Sequence, residues 1–157
     1  MFIKYIKKLF FIFFLFLNSL NVQAIQPLSN NSIEELLMDE NANHIVLEGC
    51  ISLYSTVTEL TKKKYPKLSS EFYESANTLY PYGIISLSQI KKIPYEEAEN
   101  FFFNNVTNLT NEYIDEMNKN GKKNESYFKG SFLGDDLFFC NEITKSIKLI
   151  IMESLGE

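Results

Sequence analysis

Apolar residues recur at every third or fourth position along most of the chain, and this spacing limits the possible folds more than any other feature. Between Asn43 and Lys63, the series Val46, Cys50, Leu53, Val57 and Leu60 lies on one face of a 3.6-residue helix. A second helix is predicted from Pro66, whose missing N–H matters least in a first helical turn, with Leu68, Phe72, Ala76 and Leu79 on its stripe. A third follows Pro94 and aligns Ala98, Phe102, Val106, Leu109, Tyr113 and Met117. Glu96 and Glu97 stand in its first turn, where carboxylates favour the helix dipole. The last runs from Asp135 or Asp136 to about Leu155, with Leu137, Cys140, Thr144, Ile147 and Ile151 in line and Ile143 and Ile150 widening the stripe. No segment alternates in the manner of a strand. The pattern predicts an all-α, single-domain bundle of about four main helices with short extra helical segments.

Local signals divide these helices. Ser32-Ile33-Glu34-Glu35 fits a capping box, in which hydroxyl and carboxylate satisfy each other's backbone amides, and predicts a short helix through Asp39. Tyr80-Pro81-Tyr82-Gly83 predicts a break. Ser86-Leu87-Ser88-Gln89 then reads as a second capping box opening a short segment to Ile93. Asn120-Gly121 is a stop signal, and Lys122 to Gly134 is expected to be irregular.

The first 24 residues have the layout of a secretory signal peptide. Lys4, Lys7 and Lys8 form a positive start, Leu9 to Leu17 is an unbroken apolar run, and Val22-Gln23-Ala24 is a small-x-small cleavage pattern. The run is shorter than the roughly 20 residues a spanning helix needs, so no stable membrane insertion is expected after cleavage. Residues 25–31 are then expected to be a flexible tail and residues 32–157 the helical domain. The expected destination is the periplasm or the extracellular space.

Cleavage would leave 12 of the 15 lysines against all 20 acidic residues, a formal charge of −8, and the chain has no arginine. Such a surface opposes phosphate-backbone binding, which depends on basic side chains, so nucleic acid is not an expected partner. In an exported chain with two cysteines, Cys50 and Cys140 are expected to form a disulfide. It would join the first long helix to the last and close about 90 residues.

Little in the sequence equips a catalyst, and the expectation is a non-enzyme without cofactor or metal. Gly-rich phosphate loops, GxSxG, HExxH and CxxC patterns are absent. His44, the one histidine, has Glu40 and Glu48 four residues to either side. That trio could hold a metal on a continuous helix, but Asn41 and Asn43 fall where a cap or break is expected. Carboxylates cluster at Glu96-Glu97-Glu99, Glu112-Asp115-Glu116 and Asp135-Asp136, and acid–base work would require them to converge in a cleft.

Aromatic residues make up 15% of the chain, which is dense enough to raise the question of where they all go. Phe101, Phe102 and Phe103 point about 100° apart on a helix, so at least one of Phe101 and Phe103 should reach the rim. A contact site is expected in the loop from Lys122 to Gly134, which mixes three lysines with Tyr127, Phe128 and Phe132; the alternative is that these aromatics fold back under the loop to close the bundle end. Together these features suggest a non-enzymatic protein-binding module, such as an inhibitor, an immunity-like protein or an envelope adaptor. The alternative is a carrier holding a small apolar ligand in an aromatic-lined helical pocket.

Overall fold

A computed structural model describes residues 25–30, 32–33 and 40–155 of the chain. Its elements are a short 3₁₀ turn (Leu28–Asn30) and four helices: α1 (Glu40–Thr61), α2 (Pro66–Lys91), α3 (Tyr95–Asn124) and α4 (Leu133–Leu155). Among the described residues there is no strand, and the fold is an all-α bundle. The expected signal peptide, and residues 34–39 of the short helix expected through Asp39, lie outside the described residues.

Helix α1 runs through the middle of the bundle and packs against both α2 and α3. Its expected stripe is in place, with Val46, Cys50, Leu53 and Val57 buried, but so are Leu47, Ile51, Ser52, Tyr54 and Thr56. Burial on nearly every side is possible because the polar residues on those extra faces are satisfied. The Ser52 hydroxyl lies 2.6 Å from the Glu48 carbonyl and 3.1 Å from the Val106 carbonyl on α3. One turn on, the Thr56 hydroxyl lies 2.9 Å from the Ser52 carbonyl and 3.1 Å from that of Thr110. Each hydroxyl proton is shared between its own helix and the neighbouring one, so small polar side chains let the two backbones approach without an orphaned group.

Helix α2 starts at Pro66 as expected but does not break at Tyr80-Pro81-Tyr82-Gly83; it continues to Lys91 with Pro81 inside it. The hydrogen bond that proline removes is that of the Asn77 carbonyl, and both residues are exposed, so water can serve the carbonyl. Ala76, Leu79, Gly83 and Leu87 form one buried stripe across the proline. At Gly83 an added Cβ would stand 2.1 Å from Phe102 Cζ, so this position is where the Phe102 ring of α3 seats on the α2 backbone. The second expected capping box, Ser86 to Gln89, therefore lies within a helix. Ser88 instead serves the far end of α2. Its carbonyl accepts from the N–H groups of Lys92 and Ile93, and its hydroxyl donates to the Ile93 carbonyl at 2.7 Å.

On α3 the expected stripe is buried except at Leu109, which is half-buried. The helix passes Asn120-Gly121 and ends at Asn124, where Glu125 takes φ 54°. Asn120 is buried and does not act as a stop, because its side chain has partners in the loop that follows. Helix α4 rests on the bundle through its first half, where Leu133, Phe139, Cys140, Ile143 and Thr144 are buried. Thr144 Oγ1 lies 3.0 Å from the Tyr54 hydroxyl. In the second half Leu149, Ile150 and Met152 are exposed, so Ile150 does not widen the buried stripe as its spacing suggested. A Cys50–Cys140 disulfide joins α1 to α4 with Cα atoms 5.3 Å apart.

Where a flexible tail was expected over residues 25–31, residues 25–30 lie on the bundle. Leu28 is buried against Gly49, where an added Cβ would come within 2.7 Å of Leu28 Cδ2. The Ser29 N–H donates to Asp136 Oδ1 at 2.9 Å. A backbone donor and an apolar socket together hold this segment.

Candidate functional site

The loop between α3 and α4, expected to carry partner contacts, is built around Asn120. Its Nδ2 donates towards the carbonyls of Ser126 (2.8 Å), Tyr127 (3.0 Å) and Lys129 (3.1 Å), while its Oδ1 accepts from Asn124 Nδ2 at 2.6 Å. Ser126 Oγ accepts from the N–H groups of Phe128 and Lys129. These bonds turn the chain so that Phe128 and Phe132 pack against the core. Tyr127 lies over Gly121 and keeps part of its ring exposed. Of the three aromatic residues expected to offer contacts, Tyr127 thus faces solvent most, while Phe128 and Phe132 help close the end of the bundle.

The larger aromatic surface lies on the hairpin of α2 and α3. Phe102 points inward at Gly83, and its neighbours consequently project to either flank of α3. Phe101 and Phe103 are both exposed, the latter at 58%. On the Phe101 flank the Lys91 ammonium sits 5.9 Å from the ring centroid. Nearby, Asn105 Nδ2 donates to Glu48 Oε1 at 3.0 Å. Burial raises the Glu48 pKa, an effect opposed by the Asn105 hydrogen bond and by the Lys91 charge.

On the opposite flank Tyr95, Glu99 and Phe103 follow one another at four-residue spacing, all exposed. Tyr80 faces them from α2, its ring packed edge-on to Phe102 with centroids 5.5 Å apart. Burial raises the Tyr80 phenol, and the nearby Glu99 carboxylate and Tyr95 add to the rise. The composition had marked Phe101 and Phe103 as candidates for the rim. It did not mark Tyr80, Tyr95 or Glu99; the four-residue spacing of Tyr95, Glu99 and Phe103 was the available signal. Phe138 on α4 is another exposed ring, at 69%, beside the buried Phe139.

The expected acid clusters remain apart. Glu96, Glu97 and Glu99 are exposed in the first turns of α3, and Glu112 begins the second cluster 13 residues, or about 20 Å, beyond Glu99 on the same helix. Asp136 is buried and holds Ser29. Tyr113, also buried, has its phenol pushed well above the ordinary range by burial, with Asp136 and Glu112 adding to the rise. His44 is half-buried near Glu48, and the Glu40 side chain lies outside the described residues. Among the described residues, no group of three or more His, Cys, Asp or Glu side chains is placed to hold a metal.

An open depression at the start of α2 is lined by Tyr65, Pro66, Lys67, Leu68 and Glu71. Among the described residues no helix is long and apolar enough to cross a membrane. Comparison of the chain with protein-family models, curated proteins and solved structures finds no match.

Proposed function

We propose that this protein is an exported, non-enzymatic module that binds another protein through aromatic side chains on its α2–α3 hairpin. The observation that carries the reading is the exposure of Tyr95, Phe101 and Phe103 on one stretch of α3 whose inner face is already filled. Large rings left in water beside a complete core are costly, and aromatic residues are enriched in protein interfaces. The disulfide fits an oxidising compartment and so supports export.

The carrier reading would require an aromatic-lined space between helices. The interior contacts favour the binding module instead, since Phe102 fills the Gly83 site and Tyr54 packs on Phe72 with centroids 5.6 Å apart.

Capture of partners by the exported, disulfide-bonded protein tests the proposal. Replacing Phe101 and Phe103 by Ser should remove the captured protein while leaving the melting temperature within a few degrees of wild type. Undiminished capture by that variant would exclude the hairpin as the contact surface.

A further inference from the structure

The two flanks of α3 differ in charge. Phe101 already has the protein's own ammonium, Lys91, over its ring. The flank bearing Tyr95, Glu99 and Phe103 has no such partner among the described residues. Among the described residues the ion pairs are Lys62–Glu59, Lys119–Glu116 and Lys145–Glu142, none of them on this flank, and neither Glu96 nor Glu99 has a described cation within pairing distance. Three rings thus border an exposed carboxylate that no cation among the described residues neutralises. Tyr95 is 45% exposed and Phe103 58%, and Tyr80 supports the row from the neighbouring helix through its edge-on contact with Phe102.

We infer that this edge, formed by Tyr80, Tyr95, Glu99 and Phe103, binds a Lys- or Arg-bearing segment of the partner protein. The inference rests on the protein-binding reading above and specifies the chemistry of the partner. A cation over an aromatic face is attracted by the ring quadrupole, and a carboxylate beside the ring adds direct charge pairing. The side chains stand in a row along a convex helix and do not enclose a cavity, so a segment that runs along the row meets more of them than a free ammonium ion would. Tyr95 and Phe103 are separated by eight residues of helix, about 12 Å along its axis. An extended segment covers that distance in about four residues, which also returns its side chains to the same side. The recognised segment therefore carries two basic residues four positions apart. The excess of 20 acidic residues over the 12 lysines of residues 25–157 would steer such a segment towards the surface.

The test uses ¹⁵N-labelled, oxidised protein and a Gly/Ser peptide carrying two arginines four positions apart, with the citrulline version as its uncharged counterpart. Saturable amide shifts centred on Tyr80 and Tyr95 to Phe103 are expected, with the citrulline peptide at least tenfold weaker. Glu99→Gln and Tyr95→Ala should each weaken binding at least threefold, whereas Phe138→Ala should not change it. Shifts spread evenly over all acidic surfaces, or equal binding by Glu99→Gln and wild type, overturn the inference. The partner-capture assay separates it from the broader proposal. If Phe101 and Phe103 replacement abolishes capture but Glu99→Gln does not, the module still binds protein and the basic-segment assignment is wrong. Loss of capture with both variants supports both.

Discussion

Gly83 shows how much one missing methyl can decide. Phe102 occupies the space a Cβ would need, so alanine at this position must displace an aromatic ring fully buried between two helices. Alanine favours a helix interior over glycine by up to about 1 kcal/mol, but overpacking a filled core costs about 1–3 kcal/mol. Gly83→Ala should therefore lower stability by up to about 2 kcal/mol in chemical denaturation, and the double change with Phe102→Leu should recover part of the loss. Glu48 gives a residue-scale effect of the opposite sign. Burial raises its folded-state pKa, so the folded protein holds that proton more tightly than the unfolded chain does. Stability then falls as pH rises from the unfolded carboxylate value through the folded one. Glu48→Gln keeps an acceptor for Asn105 and removes the buried charge. It should be more stable than wild type at neutral pH, and the advantage should disappear below about pH 4, where both forms of the protein carry a neutral side chain. Denaturation midpoints measured across that range would show a constant difference if the side chain were simply a solvated acid.

At the scale of the elements, periodicity located helices well and their ends less well. The stripe on α3 was legible from Ala98 to Met117 because those positions share one face of a continuous helix, and that face is the buried one, with Leu109 half-buried. The centrality of α1 was not legible, because two of its buried residues, Ser52 and Thr56, are ones that a count of apolar positions treats as solvent-facing. Each is satisfied by a carbonyl of its own helix together with one of Val106 or Thr110 on α3. Pro81 and Asn120-Gly121 misled for a related reason: local propensity costs of this kind are overridden when the residues beyond them are held by tertiary contacts. Helix α4 depends most on a single tether, since its second half exposes Leu149, Ile150 and Met152. Replacing Cys50 and Cys140 together by Ser should cost about 4–5 kcal/mol in the chain-entropy model for a 90-residue separation. Hydrogen exchange should show α4 amides losing protection before those of α1. Equal protection in all four helices would mean that packing alone holds α4.

For the whole molecule, a short turn at Leu28–Asn30 and the disulfide both bear on the export proposal. Leu28 and Ser29 contact the bundle within a few residues of the proposed cleavage after Ala24. Processing there would leave Ile25 at the start of a segment already seated on α1 and α4. Intact mass spectrometry of the protein recovered outside the cytoplasm should show loss of residues 1–24 and of two hydrogens from the cysteine pair. A membrane-bound product retaining those residues would contradict the export proposal.

The sequence by itself determined the helical class, which follows from a period of 3.6 residues, and the cysteine pairing, since two thiols on the inner stripes of two helices leave one possible pair. It also indicated that some of the consecutive phenylalanines must reach the surface, since no helix can turn three adjacent side chains the same way. Tertiary structure decided which of them did. Phe102 is inside because Gly83 of another helix leaves room for it, and Phe103 is outside because Phe102 is in. The same contact brings Tyr80 beside Glu99 and Tyr95 across a gap of fifteen or more residues in the chain. Periodicity reports only which side of its own helix a residue occupies. Which helix lies opposite is set by packing volume and by the partners available to buried polar groups, and those are properties of the assembled bundle.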